Sequence, residues 1–120
     1  MFNKAILAGN ITRDPELRYT GNGTPVCSFG LAVNLKYGEK EEVYFANIVA
    51  WKKLAELCAQ YLAKGSQCLV EGRLTERQWE HEGKTMRKTE IVAENVRFLG
   101  GKKDSQQSQP QSDEYVEEPW

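Results

Sequence analysis

Histidine is nearly missing from this chain: His81 is the only one in 120 residues, and it stands in the polar stretch "EHEGK". Cysteine pairs of the Cys-x-x-Cys kind are absent, and the acids lie in charged runs rather than in apolar surroundings. The sequence thus offers neither a metal-ligand set nor a nucleophile–base pair, so no metal, no cofactor and no enzymatic activity are expected. "TGNGTP" lacks the Gly-Lys-Ser/Thr ending of a phosphate-binding P-loop and reads as a turn. No apolar run comes near 18 residues, so no membrane-spanning helix is expected. The opening "MFNKAILAGNITRD" has no small-residue cleavage pattern and reads as a strand, not a secretory leader. Cys27, Cys58 and Cys68 are odd in number, widely spaced and each on an apolar face. That is the usage of small buried thiols in a reducing compartment, and a cytoplasmic protein is expected.

A strong net charge is missing as well: 16 Lys/Arg stand against 17 Asp/Glu, for −1 overall. The balance is uneven along the chain. Residues 1–101 carry 14 Lys/Arg and 12 Asp/Glu, a net +2, while residues 102–120 carry two Lys and five acids, a net −3. A mildly basic body with an acidic tail is a different object from a neutral protein. The length allows one domain with a modest core.

Hydrophobic periodicity supplies the elements. "KAILAGNIT" is a β-rich opening run, and "RDPEL" and "TGNGTP" read as turns. In "VCSFGLAVNLKY", Cys27, Phe29, Leu31, Val33, Leu35 and Tyr37 alternate with smaller or polar residues, a strand signal. "GEKEE" is a charged hairpin tip, and "VYFANIVAW" is a third strand, apolar on both faces. "KKLAELCAQYLAKG" changes period: Leu54, Leu57, Cys58, Tyr61 and Leu62 share one helical face. Lys64 suits the helix C-terminus, and Gly65 its left-handed cap. "SQCLVEGRLTERQW" returns to period two with Cys68, Val70 and Leu74 inward, and "TMRKTEIVAENVRFL" is the last strand region. Beyond Gly100, "GKKDSQQSQPQS" has no apolar residue and reads as a disordered linker.

Three strands, a helix and two strands in about 100 residues fit an all-β fold. The expected architecture is a five-stranded OB-fold Greek-key barrel with one α-helix between strands 3 and 4. The expected organisation is a barrel over 1–100, a linker over 101–112 and an acidic tip over 113–120, with linker and tip forming a disordered acidic tail.

The third strand carries the chemistry. Its even set, Tyr44, Ala46, Ile48 and Ala50, is compact and suits a tight interior, which leaves Phe45 and Trp51 outside with Asn47 between them. Two large aromatics on a barrel exterior need an explanation. On the fourth strand the outward set is Arg73, Thr75, Arg77 and Trp79. Basic residues interleaved with aromatics suit single-stranded nucleic acid, since Arg neutralises phosphates and rings stack on bases of any identity. Plainer readings stand beside this one: Trp51 as a lid on the core, Phe45 as a subunit contact, Trp79 as a plug of the barrel end, and Arg73 and Arg77 as a solvated face. Tyr37 shares parity with the core set, which leaves its role open.

These stretches resemble one family. "NKAILAGNITRDPELRYTGNGTPV", "NIVAWKKLAELCAQYLAKGSQCLVEGRL" and "TERQW" are similar to the opening strand, the strand–helix–strand centre and the Trp-bearing strand end of bacterial-type single-stranded DNA-binding proteins (SSB). The terminal "DEYVEEPW" resembles that family's acidic tip, although it uses Glu and ends in Trp where the family tip is Asp-rich and ends in Phe. The resemblance implies an OB-fold, usually a homotetramer, that binds single-stranded DNA without sequence preference during replication, recombination and repair. It also implies a nucleoid-associated place in the cytoplasm. Phe45, Trp51 and Trp79 fall on the family's stacking positions, and Tyr37 falls near another. Lys4, Lys53, Lys64 and Arg77 fall on positions that meet phosphates. Asp113, Glu114, Glu117, Glu118, Pro119 and Trp120 fall on the tip that docks on replication and repair enzymes. The 12-residue linker would let that tip reach roughly 20 Å as a flexible coil.

Overall fold

The computed structural model describes residues 1–100, so the linker and the tip lie outside the described residues. Six strands and one helix follow in order: β1 (Ala5–Ile11), β2 (Glu16–Tyr19), β3 (Pro25–Tyr37), β4 (Lys40–Trp51), α1 (Lys52–Tyr61), β5 (Gln67–His81) and β6 (Lys84–Gly100). The sheet runs β1-β5-β6-β4-β3-β2, and a further β1–β3 pairing closes it. Five strands therefore make the barrel, and β2 lies outside it as a short strip on β3. Every pairing is antiparallel except β4 with β6, which touch in parallel only at Ile48–Ile91 and Val49–Val92. Among the described residues, no helix is long and apolar enough to cross a membrane.

Period-two alternation builds the interior. Cys27, Phe29 and Leu31 of β3, Ala46, Ile48 and Ala50 of β4, and Cys68 and Val70 of β5 are buried, and α1 adds Ala55, Cys58 and the following Leu62. The small alanines on β4 leave room for Phe29 and Leu31, as a narrow barrel requires. Tyr61 packs its ring 5.6 Å from that of Phe98. All three cysteines are buried and free, as their spacing predicts. Burial pushes the Cys27 thiol up to about 11 and the Cys68 thiol up to about 12, and raises that of Cys58 well above its ordinary value.

Several expectations need correction. "RDPEL" is not all turn: Glu16 begins β2, whose Leu17 and Arg18 lie opposite Cys27 and Val26. A four-residue strand with no room for a visible period owes its existence to pairing on β3. The hairpin after β3 is tighter than "GEKEE" implied, because Tyr37 pairs with Lys40 and only Gly38 and Glu39 form the loop. Gly65 does not cap the helix. The helix ends at Tyr61 with Leu62 extended, and Gly65 takes φ +92 in the next turn, where its N–H donates to the Ile11 carbonyl at 2.9 Å. Leu74 is not inward. It is 45% exposed, because beyond the irregularity at Glu71/Gly72 the β5–β6 ribbon runs past the end of the barrel.

That ribbon and the β3–β4 hairpin are the two projecting arms. The β5–β6 arm turns at Glu82 and Gly83, both with positive φ, a two-residue turn whose twist suits paired strands. Its base is held by Asn3, whose side-chain amide donates to the Leu74 carbonyl and accepts from the Leu74 N–H, each at 2.9 Å. One side chain there supplies the two hydrogen bonds of a missing strand residue.

Candidate nucleic-acid interface

Residues directly opposite each other in a ladder share a face of the sheet. On β4 the outward set is Phe45, Asn47, Val49 and Trp51; Val49 neighbours Val92 of β6, and Val92 neighbours Arg73 of β5. From there the same face continues as Thr75 opposite Glu90, Arg77 opposite Lys88 and Trp79 opposite Met86. One surface therefore runs from the barrel wall onto the long arm. Phe45 is 67%, Trp51 43% and Trp79 39% exposed. Trp51 is thus no buried lid on the core, and Trp79, far out on the arm, plugs no barrel end.

Between the arm and β2 lies a groove of about 610 Å³, lined among others by Arg13, Arg18, Tyr19, Trp51, Arg77 and Lys88. The carboxylates of Glu16 and Glu90 also line it. Trp51 is placed by backbone strain as well as by parity. It is extended at φ −123 and precedes Lys52, whose φ of +59 turns the chain sharply from strand into helix. Gly30, opposite Asn47, leaves space for Arg13, since a Cβ there would meet the Arg13 guanidinium at 2.8 Å. The Arg77 Nε lies 3.5 Å from the Glu90 carboxylate, and its Cζ lies 5.0 Å from the centre of the Trp79 ring.

Of the residues singled out from sequence, Trp51 and Arg77 meet in the groove, Trp79 joins through Arg77, and Phe45 continues the same face of β4. Tyr37 is exposed at the end of the β3–β4 arm, with the parity of the core set and therefore on the side opposite Phe45. Lys4 pairs with Glu71 at 3.3 Å and Arg73 with Glu94 at 3.1 Å. Lys53 stands exposed in the first turn of α1. Lys64 is exposed too, and its backbone N–H donates to the Asp14 carboxylate at 2.8 Å. None of these last four lines the groove. Arg13, Arg18, Tyr19 and Lys88 line the groove without being singled out from sequence. Reading β2 as a turn hid the middle two; Lys88 had a usable signal, since it alternates in step with Glu90 and Val92, outward on the last strand.

A family model described as "Single-strand binding protein family" matches residues 2–99. The chain belongs to that family. Its members are non-enzymatic DNA-binding proteins. A single-stranded DNA-binding protein of Halalkalibacterium halodurans is 47% identical over 103 residues, covering 82% of this chain and 61% of the relative. Those of Bacillus cereus and Aquifex aeolicus are 48% and 45% identical, covering 82% of this chain and 61% and 71% of the relatives. The chain therefore spans about three fifths of the length of the first two relatives. Among solved structures, one described as Plasmodium falciparum SSB in complex with ssDNA superposes with a TM-score of 0.77 at 27% identity, covering 82% of this chain and 96% of that one. The OB-fold reading of this family member stands, with β2 as an addition to the five barrel strands.

Proposed function

We propose that this chain binds single-stranded DNA without sequence preference. Bases stack on Phe45, Trp51 and Trp79, while Arg77, Lys88, Arg18 and Arg13 neutralise phosphates along the groove. The observation that carries this reading is the single outward surface that bears exposed Phe45 and Trp51 on β4 and continues onto the arm with Arg77, Lys88 and exposed Trp79. Stacking on such rings is worth roughly 1–3 kcal/mol per base, a magnitude general to single-strand binders of this kind, and it tolerates any base because every base has a π-face. Duplex DNA hides those faces, so binding favours unpaired strands and removes their hairpins. Lys4 and Arg73, held by Glu71 and Glu94, and Lys53 and Lys64, outside the groove, take a secondary part, as does Tyr37.

The wider role follows the family. It comprises protection of exposed strands during replication, recombination and repair in the cytoplasm, assembly as a homotetramer, and recruitment of enzymes through Asp113, Glu114, Glu117, Glu118, Pro119 and Trp120, which lie outside the described residues. Titration with poly(dT) at two salt concentrations tests the core of it. Tryptophan fluorescence should be quenched, and the affinity should fall steeply with salt. Trp51→Ala should weaken binding by about tenfold or more, the loss of one stack, and Lys88→Ala should weaken it more than Lys53→Ala. A salt-independent affinity, or quenching that disappears only in Trp120→Ala, would refute the site.

A further inference from the structure

A phosphate-binding groove has no evident use for carboxylates, yet Glu90 lies within it. The acid stands deeper than its partner: its side chain is 15% exposed, against 57% for Arg77. Arg77 faces Lys88 directly across the ladder but reaches diagonally to Glu90, at 3.5 Å. Lys88, on the same strand as Glu90, makes no ion pair among the described residues. Of two adjacent cations, the carboxylate therefore holds one and leaves the other open. The held one is the cation lying over the Trp79 ring.

We propose that Glu90 is a built-in rival of DNA phosphate for Arg77, an inference that rests on the function proposed above. In the empty groove the carboxylate occupies the guanidinium. An arriving phosphate must share Arg77 with a fixed negative charge or displace it, and a departing phosphate is replaced at once by Glu90. Lys88 supplies uncontested attraction, while Arg77 supplies a contact that is readily exchanged. The outcome is a groove that holds a strand less tightly than its cations alone would, and that releases it faster. Such a surface lets a bound strand shift or be handed on.

Dissociation of a fluorescent dT oligomer, chased with excess poly(dT) in a stopped-flow instrument, reads this directly. Glu90→Gln keeps the shape and removes the charge. It should slow dissociation by about two- to fivefold, the scale of a partly exposed ion pair, and should steepen the dependence of affinity on salt, because no freed carboxylate takes up a cation. In an Arg77→Gln background the same change should lose most of its effect. Glu16→Gln, which removes a groove carboxylate without an ion pair among those described, should keep its smaller effect in that background. Glu90→Asp, which retains the charge but withdraws it from Arg77, should move in the direction of Glu90→Gln. Faster dissociation of Glu90→Gln would mean that the acid steadies Arg77 for phosphate, and an equal gain with and without Arg77 would mean general repulsion; either overturns the proposal. If the unaltered protein fails to bind dT oligomers, the function reading falls, and this inference with it. Binding by the unaltered protein with either contrary result sinks the inference alone.

Discussion

Cys27, Cys58 and Cys68 act on stability through their protonation. Each thiol is fully buried, so the folded state holds its proton to a higher pH than the unfolded chain does. Stability from the neutral thiols is whole below their ordinary value of 9.0 and is lost as pH rises toward about 11 to 12. Cys68→Ala should therefore make the alkaline decline in melting temperature shallower, even though it lowers stability at neutral pH. An unchanged alkaline slope would count against this account. At neutral pH, thiol reagents should react only at the rate of unfolding. At this same scale, much of the proposed site was legible. Phe45 and Trp51 were readable because the small Ala46 and Ala50 beside them left one choice of inward face. Arg77 and Trp79 were readable for the same reason, through Cys68 and Val70. Arg18 and Tyr19 were not, because nothing in four residues declares a face.

At the level of elements, local pattern proved reliable inside the barrel and unreliable at its margins. Alternation gave the right interior for the barrel part of β3 and for Ala46, Ile48 and Ala50 of β4, but not for Tyr44, which is 49% exposed, because it said nothing about where the barrel ends. Leu35, Tyr37 and Leu74 keep the parity of core residues and yet stand in water on the two arms. The helix face was legible from Leu57 and Cys58, whereas its end was set by tertiary bonds of the following turn to Ile11 and Asp14, which no local pattern shows. Barrel closure depends on a feature of the same kind. β1 leaves β5 after Asn10 and pairs with β3 at Asn10 and Ile11, and this transition brings Gly9 against the Ala32 backbone. A Cβ at Gly9 would collide with the Ala32 carbonyl oxygen, which has no flexible end to move aside. Gly9→Ala should therefore lower stability by about 2 kcal/mol or more, the range of backbone-level overpacking, measurable by urea denaturation. Gly21→Ala, with open space around it, serves as the comparison and should change stability little.

For the molecule as a whole, the barrel has two short seams, β1 with β3 and β4 with β6, and the second is the one place where it is parallel. β3–β4 and β5–β6 are long antiparallel ladders between near neighbours in sequence, while β4 and β6 meet at Ile48–Ile91 and Val49–Val92 alone. The two ladders can form from local contacts, and their seam must wait for a loop of some forty residues to close. Native-state hydrogen exchange should find the amides of residues 48–49 and 91–92 opening at lower free energy than the middles of the two ladders. Uniform protection across all four strands would contradict that. The seam also lies beneath the proposed binding surface, with Val49 and Val92 at its centre. A strand lying across Trp51 and Arg77 would bridge the two halves from outside, much as a bandage spans a cut. The ligand would then be part of the fold's mechanical closure, and saturation with dT should slow exchange at the seam more than anywhere else in the barrel.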